Sequence, residues 1–446
     1  MKGKIHIKNV LTFFQTIKTF HLISLKKETL SYIERCFTIL VDDRNFLEFS
    51  FNDVRKILLS SKLYITSELE VYDCIEKWLK HNFEERKQHA KDLLLTVGSN
   101  LLSKDALKCL LNKTSCFTKI KECVAALNET LKKKDVCDQD KPDIKQTGRY
   151  CTHVQFDLLF CGGLNKSSET AVKNASLVKV NDLEPGKGFP PMINARRCPV
   201  AVFVKGEVFV FGGRDGGNNV MPVEKYSPFT NAWVEVAEMP DRRKDFCACA
   251  FTDKVLFFGG AVNCSSLNYC AQFDTTTFNF KEIAQMKEER SSAACAVFEE
   301  KVVVSGGTYH DHRPYGLHTR HLDTVESYDF LPNKWSKMPS MVVERWDHVI
   351  VAVKSKLFVI EGKSDTCEVY DSVCKKFVVF KSIVLDLNYA NAIPIGNEIC
   401  AFQNDSKVVI IYDAEKGVWY EGEFQEGEFQ ITKYIKDFSC IKLPRF

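Results

Sequence analysis

Cysteine is the residue type of this sequence with the most obvious capacity for chemistry, since eighteen of the 446 residues are cysteines. Thiols can bind zinc or exchange disulfides, but these activities usually need Cys-x-x-Cys pairs, and the sequence contains none. Several cysteines lie instead within short apolar runs, namely Cys247, Cys249, Cys295 and Cys400. This placement predicts buried free thiols.

A histidine-rich segment, residues 308–321, holds four His, two Arg and two Tyr residues. Its histidines are His310, His312, His318 and His321. Histidines at such spacings could ligate a metal ion, but no cysteine or pair of carboxylates completes the set, and we expect no metal. We favour a partner-binding loop that also uses Arg313 and Tyr315, while an insertion without a binding role is the open alternative.

Arginine recurs in the second half of the chain within the pattern Met-x-x-x-Arg. The copies are Met192/Arg196, Met239/Arg243, Met286/Arg290 and Met341/Arg345. Arginine binds carboxylates through two parallel hydrogen bonds, so these side chains could hold an acidic peptide. A residue that recurs in every repeat more often serves the scaffold, which favours structural packing for these four. Arg197 and Arg214 do not recur in every copy. For these two residues, structural packing and contact with a ligand are equally favoured.

Enzymatic chemistry has little support in the sequence. We find no nucleophile–base pair, phosphate-binding loop or cofactor motif, and we predict a protein that is not an enzyme and has no cofactor. The net charge of only +3 argues against binding to nucleic acid or to a membrane. No signal-peptide core and no run of about 18 apolar residues occurs, so we expect the cytosol or the nucleus.

The chain has two halves in which apolar residues recur with different periods. The helices and strands of these halves must position the cysteines, histidines and arginines described above. In residues 1–130 apolar residues recur at three- and four-residue spacing, for example at Val71, Cys74 and Trp78, which predicts helices. The charged segment 131–149 predicts a linker. From residue 150 onward, short apolar runs broken by Gly-Gly, Asn and Pro predict strands.

Glycine pairs follow the apolar runs of the second half at a regular interval. They are Gly162-Gly163, Gly212-Gly213, Gly259-Gly260 and Gly306-Gly307. The first step is 50 residues and the next two are 47 residues each. In phase with them, one aromatic residue follows another after seven residues, at Tyr226/Trp233, Phe273/Phe280, Tyr328/Trp335, Tyr370/Phe377 and Tyr412/Trp419.

A repeat of this length offers about four short strands, and such a small sheet cannot bury both faces alone. Radial stacking of the sheets buries them, so residues 150–446 are predicted to form a six-bladed β-propeller. The run 438–444 predicts a further strand that closes blade 1.

The strand order, a to d within each blade, predicts which residues share a surface. Loops b–c and d–a of an up-and-down sheet lie on one face, and that face would carry the partner-binding candidates. These are Arg196, Arg197, Arg214, Asp215, Arg243, Asp245, Arg290, His310, His312, Arg313, Tyr315, Arg345 and Asp347. Blade 4 has 21 residues from Gly307 to Tyr328, against 13 for the same step in blades 2 and 3, so residues 308–321 form a longer b–c loop.

The repeat length and its markers resemble the Kelch repeat over residues 150–446. The segments 69–80 and 93–103, with a Glu-Val…Trp helix followed by Leu-Leu-Ser, resemble the BACK domain. The resemblance implies a multidomain protein of the BTB-BACK-Kelch family from which the BTB domain is largely missing. Its parts would be residues 1–40, a remnant of the BTB–BACK junction helices; 41–130, an all-α BACK domain; 131–149, a linker; and 150–446, the all-β Kelch propeller.

This resemblance implies a protein-binding role. The leading hypothesis is a substrate-recognition adaptor for a cullin-RING ubiquitin ligase, in which the propeller holds the substrate and the N-terminal helices contact a cullin. The alternatives are an actin-binding cytoskeletal protein and, with least support, a Kelch-fold enzyme.

Overall fold

The computed structural model describes residues 9–20, 23–60, 62–99, 101–136, 156–165, 167–179, 189–227, 230–313, 316–353, 355–360, 366–380, 391–395, 397–402, 409–422, 435–436 and 439–444. These residues fall into two compact units, a helical unit and a β unit. The predicted fold class, a helical region followed by a six-bladed propeller, is therefore confirmed. In the described ranges, no helix has the length and apolar character needed to cross a membrane.

The helical unit consists of short amphipathic helices around an apolar core. The α-helices are Val10–Thr19, Ile23–Arg35, Phe37–Leu40, Arg44–Leu47, Phe51–Leu58, Glu68–His81, Phe83–Arg86, Ala90–Leu94, Lys104–Asn112 and Lys121–Val136, with 3-10 turns at Lys87–His89 and Phe117–Lys119. Trp78 lies in this core, and its indole N–H donates to the Phe49 carbonyl at 2.9 Å.

The last helix, Lys121–Val136, enters the segment that the sequence predicts as a linker from residue 131. The charged residues here continue the helix because no Gly or Pro interrupts them, and the i,i+4 pair Glu129–Lys133 forms an ion pair of 2.8 Å. The helix thus continues six residues into the predicted linker, 131–149, which stays a prediction. The remainder of that segment, 137–149, lies outside the described residues.

In the described ranges, six sheets of three or four strands form the blades of the β unit. The strands are Phe156–Cys161, Ala175–Lys179 and Ser439–Pro444 in blade 1; Val200–Val204, Glu207–Phe211, Pro222–Ser227 and Ala232–Glu238 in blade 2; Cys247–Phe251, Lys254–Phe258, Cys270–Asp274 and Phe280–Glu282 in blade 3; Ala294–Phe298, Lys301–Ser305, Val325–Asp329 and Lys334–Met338 in blade 4; Val349–Val353, Lys356–Ile360, Cys367–Asp371 and Lys376–Phe380 in blade 5; and Asn391–Ile395, Glu398–Phe402, Val409–Asp413 and Val418–Gly422 in blade 6.

Pairs of short strands join the b and c strands in blades 2, 3 and 4, and a further short pair lies in blade 1. Leu164–Asn165 of blade 1 pairs with Ile435–Lys436, which precedes the a strand of that blade. The other pairs are Arg214–Asp215 with Asn218–Asn219, Ala261–Val262 with Ser265–Ser266, and Thr308–Arg313 with Gly316–His321. The last pair belongs to blade 4, where the sequence predicts only an extended loop. Its six paired positions make it a β-ribbon, which we call the blade-4 ribbon.

The aromatic pairs of the repeat join neighbouring blades. Tyr226 lies directly opposite Trp233, and the two rings, 5.4 Å apart, belong to the core between blades 1 and 2. The Trp233 indole N–H also donates to the Pro190 carbonyl at 2.9 Å. Blade 4 repeats the arrangement, since Trp335 donates to the Ala284 carbonyl at 2.7 Å. These two Tyr–Trp pairs therefore supply apolar area and one directional bond each to the preceding segment.

The glycine pairs are required by close backbone approach. Gly259 has a φ of +62°, and a Cβ atom placed on it would lie 2.2 Å from the Arg290 carbonyl oxygen. No other residue type fits a left-handed conformation against a backbone at that distance. The glycine pairs thus mark where strand b ends beneath the d–a loop.

Blade 1 takes its innermost strand from the far end of the described chain. Strand Ser439–Pro444 pairs with Phe156–Cys161 in the order that strands a and b have in the other blades. Cys440 joins Leu158, Phe160 and the blade 6 residue Phe402 in one apolar cluster, with the two phenylalanine rings 5.6 Å apart. This cluster closes the ring between blades 6 and 1.

Candidate partner-binding site

The four repeated arginines are buried. Arg196, Arg290 and Arg345 are 0% exposed and Arg243 is 3% exposed. Three of them form ion pairs with a buried glutamate of strand c in the same blade, namely Arg196–Glu224 at 2.8 Å, Arg290–Glu326 at 3.0 Å and Arg345–Glu368 at 3.0 Å. All four side chains are therefore buried, which supports the packing interpretation of the repeated arginines.

Each glutamate also holds the d–a loop that precedes its blade. The Glu224 carboxylate accepts from the backbone N–H groups of Ile193 and Asn194 at 2.6 and 3.0 Å. Glu368 does the same with Val342 and Val343 at 2.7 and 3.0 Å. The arginine completes the link, since Arg196 donates to the carbonyl of Gly212 at 2.7 Å. These pairs therefore fix the loops of the candidate face.

Blade 3 lacks this glutamate, because Ala271 occupies the corresponding position of strand c. Arg243 donates instead to Asp241 through Nε at 2.7 Å, and its guanidinium lies 4.2 Å from the Tyr269 ring centroid. The Asp241 side chain is 36% exposed. Blade 3 thus anchors its arginine with a partner that water can reach.

The loops of four blades surround a cavity of about 410 Å³. The lining residues are Arg197, Cys198, Pro199, Val200, Gly213, Arg214, Lys244, Asp245, Phe246, Ser292, Ala293, Asp347 and His348. They come from the d–a loops and from the start of a b–c loop, and backbone bonds join the two kinds of loop, as between Arg197 and Arg214. The candidate residues Arg197, Arg214, Asp245 and Asp347 are therefore brought together.

Four residues at the same position of successive d–a loops adopt the left-handed conformation. They are Cys198, Asp245, Ser292 and Asp347, with φ between 50° and 57°. The Ser292 N–H donates to the Asp245 carbonyl at 2.7 Å, and the Asp347 N–H donates to the Ser292 carbonyl at 3.1 Å. Hydrogen bonds thus run from blade to blade around the cavity and preorganise its rim.

The cavity lining has mixed charge with a positive excess. Arg214 and Asp245 form a partly exposed ion pair of 2.6 Å. Beyond this pair, the lining includes Arg197, Lys244 and Asp347. Asp215, another candidate, is exposed in the short strand after Arg214 but does not line the cavity.

His348 lines the cavity from the start of blade 5 and is buried. Burial, together with the charges of Arg345 and Arg290, lowers the pKa of His348 to about 3. Its Nε2 lies 2.8 Å from the Ser305 hydroxyl, whereas its Nδ1 has no hydrogen-bond partner in the described part of the chain. Sequence reasoning did not identify this residue.

The blade-4 ribbon is anchored beside the cavity. The His310 N–H donates to the Ser266 hydroxyl at 3.0 Å, and Arg320 forms an ion pair of 2.6 Å with Glu288. The His321 ring stacks on Trp346 at 3.5 Å, directly before the cavity residue Asp347. Trp346 is a second residue that sequence reasoning missed.

The ribbon register places His318 on the opposite face from His310. His310 lies opposite Thr319, with Nδ1 3.0 Å from the threonine hydroxyl, whereas His318 lies opposite Asp311 on the other face. Burial, followed by the nearby His321, lowers the pKa of His310. Among the described residues, no three metal-ligating side chains form a cluster. The side chains of His312 and Arg313, and the whole of Tyr315, lie outside the description.

Comparison with known proteins identifies similar sequences for both units. The family pattern described as the KLHDC2/KLHL20/DRC7 Kelch-repeats domain matches residues 148–376, and the BACK pattern (BTB And C-terminal Kelch) matches residues 10–112. Kelch-like protein 7 from Rattus norvegicus is 30% identical over 382 residues, which are 83% of this chain and 62% of the relative.

Two further relatives match smaller parts of the chain. Kelch-like protein 8 from Mus musculus is 27% identical over 51% of this chain and 36% of its own length. Kelch repeat and BTB domain-containing protein 3 from Homo sapiens is 20% identical over 53% of this chain and 48% of its own length. The chain thus spans between about a third and three fifths of these relatives.

Proposed function

Because this chain belongs to the Kelch-like family, we propose that it is a substrate-recognition adaptor whose propeller holds a segment of another protein. The contact surface in this proposal is the cavity rim with the adjoining blade-4 ribbon. The observation that carries it is the convergence of loops from four blades on one cavity beside this ribbon.

The lining supports a peptide segment with an acidic side chain as the ligand. Arg197, Arg214 and Lys244 outnumber Asp245 and Asp347 in the lining, and Arg214 and Asp245 already pair with each other. A carboxylate would therefore find a net positive surface, and the fork of a guanidinium can hold it through two bonds. Trp346 and the ribbon would add flat contact area beside that charge.

The ligase part of the proposal depends on the helical unit. In this proposal the propeller binds the substrate. The helical unit, which the BACK pattern matches, contributes to association with a cullin-RING ubiquitin ligase. Purification of the native protein from its cells tests this association. Absence of every cullin from the purified material would refute the ligase role, and co-sedimentation with actin filaments would support the cytoskeletal alternative.

Affinity purification with paired variants tests the contact surface. Arg197→Ala combined with Lys244→Ala removes two positive charges from the cavity lining, and we expect at least a tenfold loss of partner recovery, or about 1.4 kcal/mol of binding free energy. Lys281→Ala combined with Lys376→Ala removes two exposed positive charges from outer strands and should leave recovery unchanged. Equal recovery of every partner by both double variants would refute the proposed surface.

A further inference from the structure

Three cysteines of the innermost strands lie in the space between blades 3 and 4. Ala248 and Ala250 pack in the core shared with blade 2, and side chains alternate along a strand, so Cys247 and Cys249 face blade 4. In the next blade, Ala294 and Ala296 pack in the core shared with blade 5, so Cys295 faces blade 3. The two strands thus direct three thiols toward one another.

The three thiols are neighbours in this space, and Cys295 lies within hydrogen-bonding reach of Cys247 and Cys249. All three residues are partly exposed, and all are free thiols. The cluster therefore combines neighbouring thiols with access for a small oxidant.

We propose that peroxide converts this cluster into a disulfide between Cys295 and either Cys247 or Cys249, which joins blade 3 to blade 4. Hydrogen peroxide first oxidises one thiol to a sulfenic acid and is reduced to water. The neighbouring thiol then attacks the sulfenic sulfur, the S–S bond forms, and the sulfenic oxygen leaves as a second water molecule. The two thiols supply both electrons that the peroxide takes up.

The bond would act on loops that line the cavity. Asp245 lies two residues before Cys247, and Ser292 lies three residues before Cys295. The hydrogen bond from Ser292 to Asp245 already couples these loops, and a disulfide would hold their separation until it is reduced. This inference does not depend on the proposed adaptor role, because it concerns the chemistry of the propeller itself.

Peptide mapping of the full chain tests the proposal. The protein is treated with hydrogen peroxide, free thiols are alkylated, and disulfide-linked peptides are identified by mass spectrometry before and after reduction. We expect a linked peptide that contains Cys295 and disappears on reduction. Hydrogen bonding with the Cys247 and Cys249 thiols raises the pKa of Cys295 well above its usual value, so linkage by its thiolate should accelerate roughly tenfold for each pH unit above neutrality.

Cys295→Ala should abolish the linked peptide, whereas Cys367→Ala, a buried thiol of blade 5, should leave it unchanged. The double variant Cys247→Ala with Cys249→Ala provides a second test if Cys295→Ala folds poorly, because it leaves Cys295 without a partner. Recovery of Cys295 as a free thiol at peroxide levels that oxidise the exposed Cys374 would overturn the proposal. A bond between Cys247 and Cys249 alone would also overturn it.

Discussion

Replacing Glu368 by Gln tests whether a buried carboxylate holds the loops of the binding face. Glu368 is 0% exposed and accepts two backbone N–H groups as well as the Nε and Nη2 groups of Arg345, at 3.2 and 3.0 Å. The amide keeps the shape but removes the charge, which leaves a buried guanidinium without a counter-ion. Breaking one side of such a pair costs about 3–5 kcal/mol, and we expect a loss at the lower end of this range.

Asp241→Asn in blade 3 is the matched control. The Asp241 side chain is 36% exposed, so water can replace the lost acceptor, and the Tyr269 ring still covers the guanidinium of Arg243. We expect this change to lower the free energy of unfolding by only about 1 kcal/mol. The contrast between the two blades, rather than either value alone, tests the role of burial.

Chemical denaturation followed by tryptophan fluorescence provides the measurement. Trp78 belongs to the helical unit, so a Trp78→Phe background restricts the signal to the propeller. Following one unit matters because a two-unit chain has no single free energy of unfolding. The variant that combines Glu368→Gln with Arg345→Met should cost about 2 kcal/mol less than the sum of the single changes, since no unpaired charge remains.

Two results would refute this reasoning. Equal losses for Glu368→Gln and Asp241→Asn would show that burial of the pair does not determine its contribution. Additive losses in the combined variant would show that Arg345 and Glu368 act independently.

Three other predictions concern the propeller. Gly259→Ala should lower the free energy of unfolding by at least about 3 kcal/mol, because its Cβ would lie 2.2 Å from a carbonyl oxygen. Gly216→Ala has a similar φ but open space around its Cβ, so it should lower this free energy by about 1 kcal/mol. Thermal unfolding compares the two variants. The folded state keeps His348 neutral down to pH about 3, whereas the unfolded chain binds its proton below pH about 6.5, so the free energy of unfolding should fall by about 2 kcal/mol from pH 7 to 5. This fall should be absent in His348→Gln, and its persistence would contradict the assigned neutrality. Removal of residues 439–446 leaves blade 1 without its inner strand, so limited proteolysis should cut blades 1 and 6 first; unchanged cleavage would argue against closure by this strand.

The propeller could be predicted from the sequence because each blade repeats the same physical requirements. Glycine pairs occur where a left-handed turn passes under a backbone, and aromatic pairs occur where two blades need large apolar surfaces. Both requirements recur at fixed spacing, so the markers stay in phase. The ribbon in blade 4 breaks that period, and only the structure shows that the added residues pair as strands.

The recurrence of the arginines favours packing, but it does not identify the partner of each arginine, since an exposed and a buried guanidinium have the same sequence pattern. The missing signal is the glutamate that lies two residues before the tyrosine, at Glu224, Glu326 and Glu368. It occurs in blades 2, 4 and 5 but not in blade 3, where Ala271 stands. A repeated arginine with a repeated glutamate in phase indicates an internal ion pair.

The strand that closes blade 1 also determines when the propeller can be completed during synthesis. Strands Phe156–Cys161 and Ser439–Pro444 are neighbours in one sheet but are separated by almost the whole β unit along the chain. A ribosome adds about 5–20 residues per second, so the first blade waits many seconds for its inner strand. During that interval the edge of Phe156–Cys161 is open to pairing with other strands.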